Sequence, residues 1–512
     1  LDIIGHNAKF DYKVLKAYDI DVDFRFDTIL AAYLLNPGRN RFSLDSLSME
    51  LLRHKMKSFK EVLGDRDHFG QVPLSEALDY AADDAEVTFR LAKILGKNLR
   101  ESSLQALLDE LEMPLSKILA KMEWEGITLD CSYLDTLRLQ FQKELEAVKK
   151  DIWEFCGEEF NLNSPKQLSR ILFEKLGLPV VKKTKKSGPS TDSHVLNVLE
   201  KKFGYEIARK INRYRHLSKL KGTYVDPLPK LLDAEGRLHT SFHQFKTETG
   251  RLSSSEPNLQ NIPIRTEEGK SIRRAFIPRS EGQTFVSADY SQIELRVLAH
   301  LTESPILKET FEKGRDIHRE TAASVFAVPP DQVTSEMRSK AKAVNFGIIY
   351  GQTGFGLSKT LGIEQWEAKK MIDAYFAKLP EVGNWKERTI ADARSKGYVS
   401  TLLGRRRFLP DINNSKKNIQ SAAERVAINT IIQGTAADLI KKAMINLDQE
   451  LQKTSLRARL LLQIHDELIL ECAVSDADEV AAILVHIMEG AFELKVPLTA
   501  SLSRGKTWAD LK

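Results

Sequence analysis

The chain has 512 residues, of which 42% are hydrophobic and 29% charged; these are ordinary values for a globular protein, but the length is too great for one core. No run of 18 apolar residues occurs, and Cys131, Cys156 and Cys472 lie scattered without CxxC spacing, which argues against a transmembrane helix, a zinc site and a disulfide framework and suits a reducing compartment. The net charge of +5, from 76 basic against 71 acidic residues, decides little by itself.

In chain order, the sequence opens at Leu1 inside LDIIG, which reads as a strand, with neither an initiator methionine nor a targeting peptide, so a piece of a longer protein is expected. Residues 1 to about 100 mix short strand-like runs with helical ones. After Glu112 the pattern turns mostly helical, with a long amphipathic stretch from Tyr133 to Phe155. Lys182 to Ser190, rich in Lys, Gly and Pro, interrupts it as a flexible loop. Cations concentrate in KKTKKSG (Lys182 to Gly188), NRYRHLSKLKG (Asn212 to Gly222) and GRRR (Gly404 to Arg407), runs that suit a polyanion partner and also an ordinary solvated surface. From about residue 235 strand-like pieces return in RLHTSFH, TFVSADY and LLQIHDELILE, with helices between them, an α+β order without internal repeats.

Leu461 to Glu471 reads as two strands on a packed core, with His465, Asp466 and Glu467 at a tight turn between them. A polar turn needs no function, but two acids from distant segments can hold a pair of divalent ions. Asp289 is the second acid, at the end of a buried strand from Thr284 to Ala288; from about Gln292 the spacing of Ile293, Val297, Leu298 and Leu301 is helical, so the same acid also suits a helix cap. Two magnesium ions between such carboxylates suit phosphoryl transfer, which then needs cations for a triphosphate. Arg338, Lys342, Phe346 and Tyr350 recur every four residues, a helical stripe basic at its start and aromatic at its end. Such a stripe can grip phosphate and stack on a base, or be the snorkelling rim of an amphipathic helix.

DYSQIELR, the Arg338 to Tyr350 helix and IHDE, in that order, resemble the three polymerase motifs of family A DNA polymerases. ETGRLSSSEPNLQNIPIR, TLLGRRRFLPDI and ERVAINTIIQGTAADLI resemble three further blocks of that family, and the likeness covers the chain from about residue 110. The resemblance implies a DNA-directed DNA polymerase acting in replication and repair, with Asp289 and Asp466 as ligands of two Mg2+ ions, for which Mn2+ can substitute, and Glu467 as a supporting acid. Arg338, Lys342 and His318 would contact the triphosphate, Lys342 also donating a proton to the leaving pyrophosphate. Gln292, Phe346, Tyr350 and Glu294 would line the nucleotide site, Glu294 as the steric gate against a ribose 2′-hydroxyl. Arg251, Asn258, Gln260, Arg425, Asn429, Gln433 and His465 would touch primer-template DNA, donors in the minor groove testing pair geometry without reading sequence.

IGHNAKFD, with Asn7 and Asp11, and YAADDAEVTF, with Tyr80 and Asp84, resemble the second and third motifs of a DEDD-type 3′–5′ exonuclease, each pair expected on one helix face. That family's first DxE should precede residue 1, and DVDF at Asp21 to Phe24 does not replace it, so proofreading is expected to be absent. The expected fold is a multidomain α+β right hand behind a truncated RNase H-like exonuclease domain at residues 1 to about 105. The polymerase domain would span about 106 to 512, with a thumb at about 130–215, palm at about 216–300 and 418–512, and fingers at about 301–417. The Lys182 to Lys186 loop and the Arg213 to Lys221 segment would hold DNA phosphates from the thumb. Primer-template DNA and deoxynucleoside triphosphates are the expected partners of a cytoplasmic monomer, in a bacterial nucleoid or a phage-infected cell, without a membrane. The rival readings are a nuclease working through the exonuclease half and a catalytically dead DNA-binding scaffold.

Overall fold

In the computed structural model, which describes residues 2–184 and 188–511, the backbone divides into two compact units. The first unit gathers Leu1–Glu125, Thr240–Glu256 and Val286–Arg504. It opens with β1 (Ile3–Gly5), α1 (Ala8–Lys16) and β2 (Phe24–Asp27), β1 and β2 pairing in parallel, and continues into the buried α2 (Thr28–Leu35). Asp27 explains this corner: its buried carboxylate accepts the backbone N–H groups of Asn7 and Ala8 at the start of α1 and of Ile29 and Leu30 at the start of α2. One acid thus satisfies orphan donors of two helices.

The long α3 (Leu74–Glu101) and α4 (Met113–Glu125) follow, and after them a hairpin of β3 (Ser241–His243) and β4 (Ser253–Ser255). β5 (Gln283–Tyr290) leads into α5 (Ile293–Thr302), and α6 (Ile317–Phe326) packs on α7 (Ser335–Ile349). The 35-residue α8 (Lys417–Leu451) precedes β6 (Ala458–Ile464), β7 (Glu467–Ala473), α9 (Ala477–Glu489) and β8 (Ala500–Gly505). The sheet order is β6–β7–β5–β8, with β6 and β7 antiparallel from Ala458↔Cys472 to Ile464↔Glu467. The second unit gathers Gly126–His239, Pro257–Phe285 and Gly505–Lys512. Its helices, among them Cys131–Cys156 and Glu206–Leu220, enclose a core that includes Ile152, Leu172, Leu196 and Ile211.

Several expectations change here. Glu467 is not in the turn: it is the first residue of β7, paired with Ile464 and 1% exposed. RLHTSFH is not one strand, since Arg237–Leu238 and Ser241–His243 belong to different sheets. The Lys182 to Ser190 loop contains a small antiparallel pair, Lys183–Thr184 with Gly188–Pro189, while Lys185 and Lys186 lie outside the described residues.

GRRR is not a free cationic patch. Arg405 is 2% exposed between Glu112 and Asp438, Arg406 lies over the Tyr398 ring, and Arg407 pairs with Glu248. Within the Asn212 to Gly222 run, Arg213 is held by Glu144 and Glu268, and Lys221 by Asp226. The three cysteines are free thiols, and among the described residues no helix is long and apolar enough to cross a membrane.

Candidate active site

The central sheet brings two distant acids together, one at the end of β5 and one in the β6–β7 turn. Tyr290, the last residue of β5, donates its backbone N–H to the carbonyl of Asp466 at 3.1 Å, which sets Asp289 beside the β6–β7 turn. His465 takes a left-handed conformation there (φ 55°), as a two-residue turn requires, and the Gln463 amide donates to its carbonyl. Asp289 and Asp466 stay half-buried, whereas Glu467 is enclosed. Burial first, then the charges of Asp466 and Glu489, raise the pKa of Tyr290, whose hydroxyl donates to the Met488 carbonyl at 2.6 Å.

Carboxylate oxygens are the donors a hard divalent cation prefers. Among the described residues no group of three or more His, Cys, Asp or Glu is disposed to hold a metal. Asp289 and Asp466 supply two carboxylates, so a cation held there would need its remaining ligands from phosphate and water.

The basic and aromatic stripe forms as its spacing predicts, and α6 orders it. Asp316 caps α6, one oxygen accepting the N–H groups of His318 (2.9 Å) and Arg319 (3.1 Å), while the other takes Nε of Arg338 at 2.6 Å. Arg338 keeps partial exposure, and Lys342 is exposed one turn further on. His318 is buried, and that burial lowers its pKa to about 4, Asp316 opposing the shift and Lys342 and Arg338 reinforcing it. The Asn345 amide donates to Nδ1 of His318 at 2.9 Å, oriented by the Thr321 hydroxyl, so the ring is neutral with its proton on Nε2. The rings of His318, Phe346 and Tyr350 follow one another at 5.8 and 6.0 Å.

Tyr350 ends α7 and donates to Oε2 of Glu294 at 3.0 Å, while Nη2 of Arg251 meets Oε1 at 2.7 Å. Burial and then the Glu294 charge push the Tyr350 hydroxyl up to about 12, against the opposing charge of Arg251 and a hydrogen bond with Gln433. α8 carries Arg425, Asn429 and Gln433 at spacing four, on one helix face. Arg425 supports the turn after α7: a Cβ on Gly351 (φ +61°) would fall 2.7 Å from its side chain. Gln292 is the left-handed N-cap of α5. Among the described residues its Oε1, like Oδ1 of Asn429, is buried without a hydrogen-bond partner. Asn258 and Gln260 lie in the second unit, where the Asn258 side chain caps a short turn at the Gln260 N–H.

Near the start of the chain, Asp11 from α1 and Tyr80 and Asp84 from α3 line a cavity of about 1010 Å³. Burial raises the pKa of all three, and Tyr80 hydrogen-bonds Asp84. Asn7 does not share a helix face with Asp11: it is the N-cap of α1 in a left-handed conformation (φ 66°), placed there by the bond from its N–H to Asp27.

The family model for DNA polymerase family A matches residues 131–510. The chain belongs to DNA polymerase family A. Residues 1–100 of this family A chain match a second model, 3′–5′ exonuclease. DNA polymerase I of Borreliella burgdorferi is 44% identical to it over 511 residues, covering 99% of the chain and 56% of that protein. DNA polymerase I of Geobacillus stearothermophilus is 46% identical over 494 residues, covering 95% and 55%. The chain thus spans about half the length of the curated relatives it matches. A solved structure, the POL domain of Pol1 from M. smegmatis in complex with DNA primer-template and dNTP, superposes with a TM-score of 0.91 at 38% identity, covering 99% of this chain and 86% of that one.

Three groups around this candidate site are not legible as such in the sequence. Asp316 stands before a helical run and had a legible N-cap signal, but nothing local pairs it with Arg338. Asn345 sits inside the stripe, and its bond to His318 exists only once α6 and α7 pack. Arg405, Glu112, Asp438 and Lys441 form a buried charged quartet from distant segments: Arg405 meets Asp438 at 2.7 Å and also pairs with Glu112, which Lys441 meets at 2.7 Å.

Proposed function

We propose that this chain copies DNA, adding deoxynucleotides to a primer 3′ end under the direction of a template. The observation that carries the reading is the convergence of Asp289, at the end of β5, and Asp466, in the β6–β7 turn, in the same unit as the ordered Arg338–Tyr350 stripe. Asp289 and Asp466 would hold two Mg2+ ions, whose chemistry there is to acidify the primer hydroxyl and neutralise charge on the departing pyrophosphate. Arg338, steadied by Asp316, presents its remaining donors to phosphate oxygens, and neutral His318 offers Nε2–H as a further donor. Lys342, exposed one turn along α7 from Arg338, would protonate the pyrophosphate.

Glu294, locked by Arg251 and Tyr350, walls the sugar site and excludes a 2′-hydroxyl, while Phe346 packs on the deoxyribose. Arg251, Gln433, Asn429, Arg425 and His465 of the first unit would meet the duplex, and Gln292 would lie beside the nucleotide; Asn258 and Gln260 of the second unit are proposed separately as DNA contacts. Primer-template DNA and dNTPs, the partners in the M. smegmatis complex, are carried over as the substrates of a monomer working in the bacterial cytoplasm. Thumb, palm and fingers follow the boundaries given above. A primer-extension assay tests the reading: template-directed elongation supports it, and DNA binding without elongation leaves the scaffold alternative.

The cavity lined by Asp11, Tyr80 and Asp84 favours a second reading, hydrolysis at a DNA 3′ end. Its test is separate: shortening of a terminally mismatched primer without nucleotides, abolished by Asp84→Asn.

A further inference from the structure

We infer that Tyr33, which lies in the part of the chain matching the exonuclease family, is a positioning residue for nucleotide selection, because it anchors the loop that carries Arg251. The inference rests on the polymerase reading above and extends it to a residue outside the polymerase match. Tyr33 is fully buried in α2 and does not line the Asp11 cavity. Its hydroxyl donates to the Thr247 carbonyl at 2.8 Å, and the Thr247 hydroxyl donates to the Arg251 carbonyl at 2.6 Å. Arg251 in turn holds Glu294, which holds Tyr350. Four consecutive polar contacts therefore run from α2 to the sugar pocket.

The floor of that loop is equally particular. Gly250 has φ +87°, and a Cβ there would come within 2.6 Å of Nε of Arg405, so the loop backbone rests on the guanidinium. On the other side the Thr249 carbonyl lies 3.0 Å from where a Cβ on Gly434 of α8 would be. Arg405 cannot yield, because Glu112 and Asp438 clamp it, Thr401 holds the second Asp438 oxygen at 2.7 Å, and Gln244 holds the second Glu112 oxygen at 2.6 Å. With Lys441 the quartet is formally neutral, a costly arrangement to bury whose attested use is to fix geometry. The Tyr33 ring lies against the same guanidinium, 5.9 Å from its centroid. Tyr33 and Arg405 therefore both hold the Arg251 loop, Tyr33 at the Thr247 carbonyl and Arg405 beneath Gly250.

The bland alternative is a buried tyrosine that merely satisfies its hydroxyl. The two differ in whether its effect passes through Arg251. Single-nucleotide incorporation of a matched dNTP and the corresponding rNTP is measured for the 512-residue chain, Tyr33→Phe, Arg251→Ala and the double variant. Tyr33→Phe keeps the ring and is expected to lower kcat/KM for dNTP about five-fold, chiefly through KM, and to raise the rNTP-to-dNTP ratio. In the Arg251→Ala background the same substitution is expected to add nothing.

Thr247→Val, which cuts the next link, is expected to reproduce both the loss and its disappearance, and it serves as the test if Tyr33→Phe does not fold. Equal effects of Tyr33→Phe in both backgrounds, or a lowered thermal midpoint with kinetics and sugar ratio unchanged, would overturn the inference while leaving the polymerase reading intact. A chain that extends no primer at all overturns both.

Discussion

Glu294 offers the sharpest perturbation of the proposed sugar pocket. The residue is 5% exposed, and its carboxylate is shared between Arg251 at 2.7 Å and Tyr350 at 3.0 Å. Glu294→Gln keeps the shape and one acceptor but removes the charge. A desolvated ionic hydrogen bond is worth about 1.5–3 kcal/mol, and because the Arg251 side chain is 33% exposed, screening brings the expected loss to about 1–2 kcal/mol. That corresponds to roughly a 5- to 30-fold fall in kcat/KM for dNTP.

Glu294→Ala removes both bonds and the proposed wall beside the 2′ carbon, so rNTP use relative to dNTP is expected to rise by about ten-fold or more. Single-turnover incorporation with each nucleotide reads both numbers. An unchanged rNTP-to-dNTP ratio in Glu294→Ala, or identical kinetics for the Gln and Ala variants, would refute the gate.

Three further outcomes follow from the same contacts. Burial pushes the Glu112 carboxyl up, but Lys441 and Arg405 outweigh it and hold it at about 2, below its usual 4.5, so this pairing contributes stability that is complete above about pH 4.5 and is lost as pH falls through about 2. Lys441→Met should cost about 3 kcal/mol near neutral pH, with the gap to the unmodified chain narrowing in acid; denaturant midpoints at both pH values measure it, and a pH-independent gap counts against the quartet. Asp316→Asn retains an α6 cap but loses the Arg338 pairing, so KM for dNTP should rise up to about five-fold with little change in thermal midpoint; unaltered KM would show that Arg338 needs no such support. With a pKa of about 4, His318 stays neutral across about pH 6 to 9, so His318→Gln should retain more activity than His318→Leu and kcat/KM should show no histidine inflection near 6.5; an inflection lost in both variants would refute the neutral donor.

The sequence displayed what periodicity encodes. Four-residue spacing placed Arg338, Lys342, Phe346 and Tyr350 on a helix, and apolar runs marked β5 and the β6–β7 hairpin with Asp289 and Asp466 at their ends. It did not display what depends on a distant partner. GRRR looks like surface cation because Glu112 and Asp438, which bury Arg405, are far away in the chain. Glu467 looks like turn polarity because its neighbours are polar, yet a two-residue turn ends before it. Asn7 looks helical by spacing, but Asp27 draws its backbone into a left-handed cap. Asp316, Asn345 and Tyr33 act through contacts that exist only after their helices pack.

The most direct test of the central claim is primer extension in Mg2+ by the unmodified chain, Asp289→Asn and Asp466→Asn, with duplex affinity measured alongside. The unmodified chain is expected to extend the primer according to the template. Each variant is expected to lose incorporation by about a thousand-fold or more while its duplex Kd stays within about three-fold, because the proposed phosphate contacts lie on other residues. Near-normal extension by either variant, or no extension by the unmodified chain, would contradict the account.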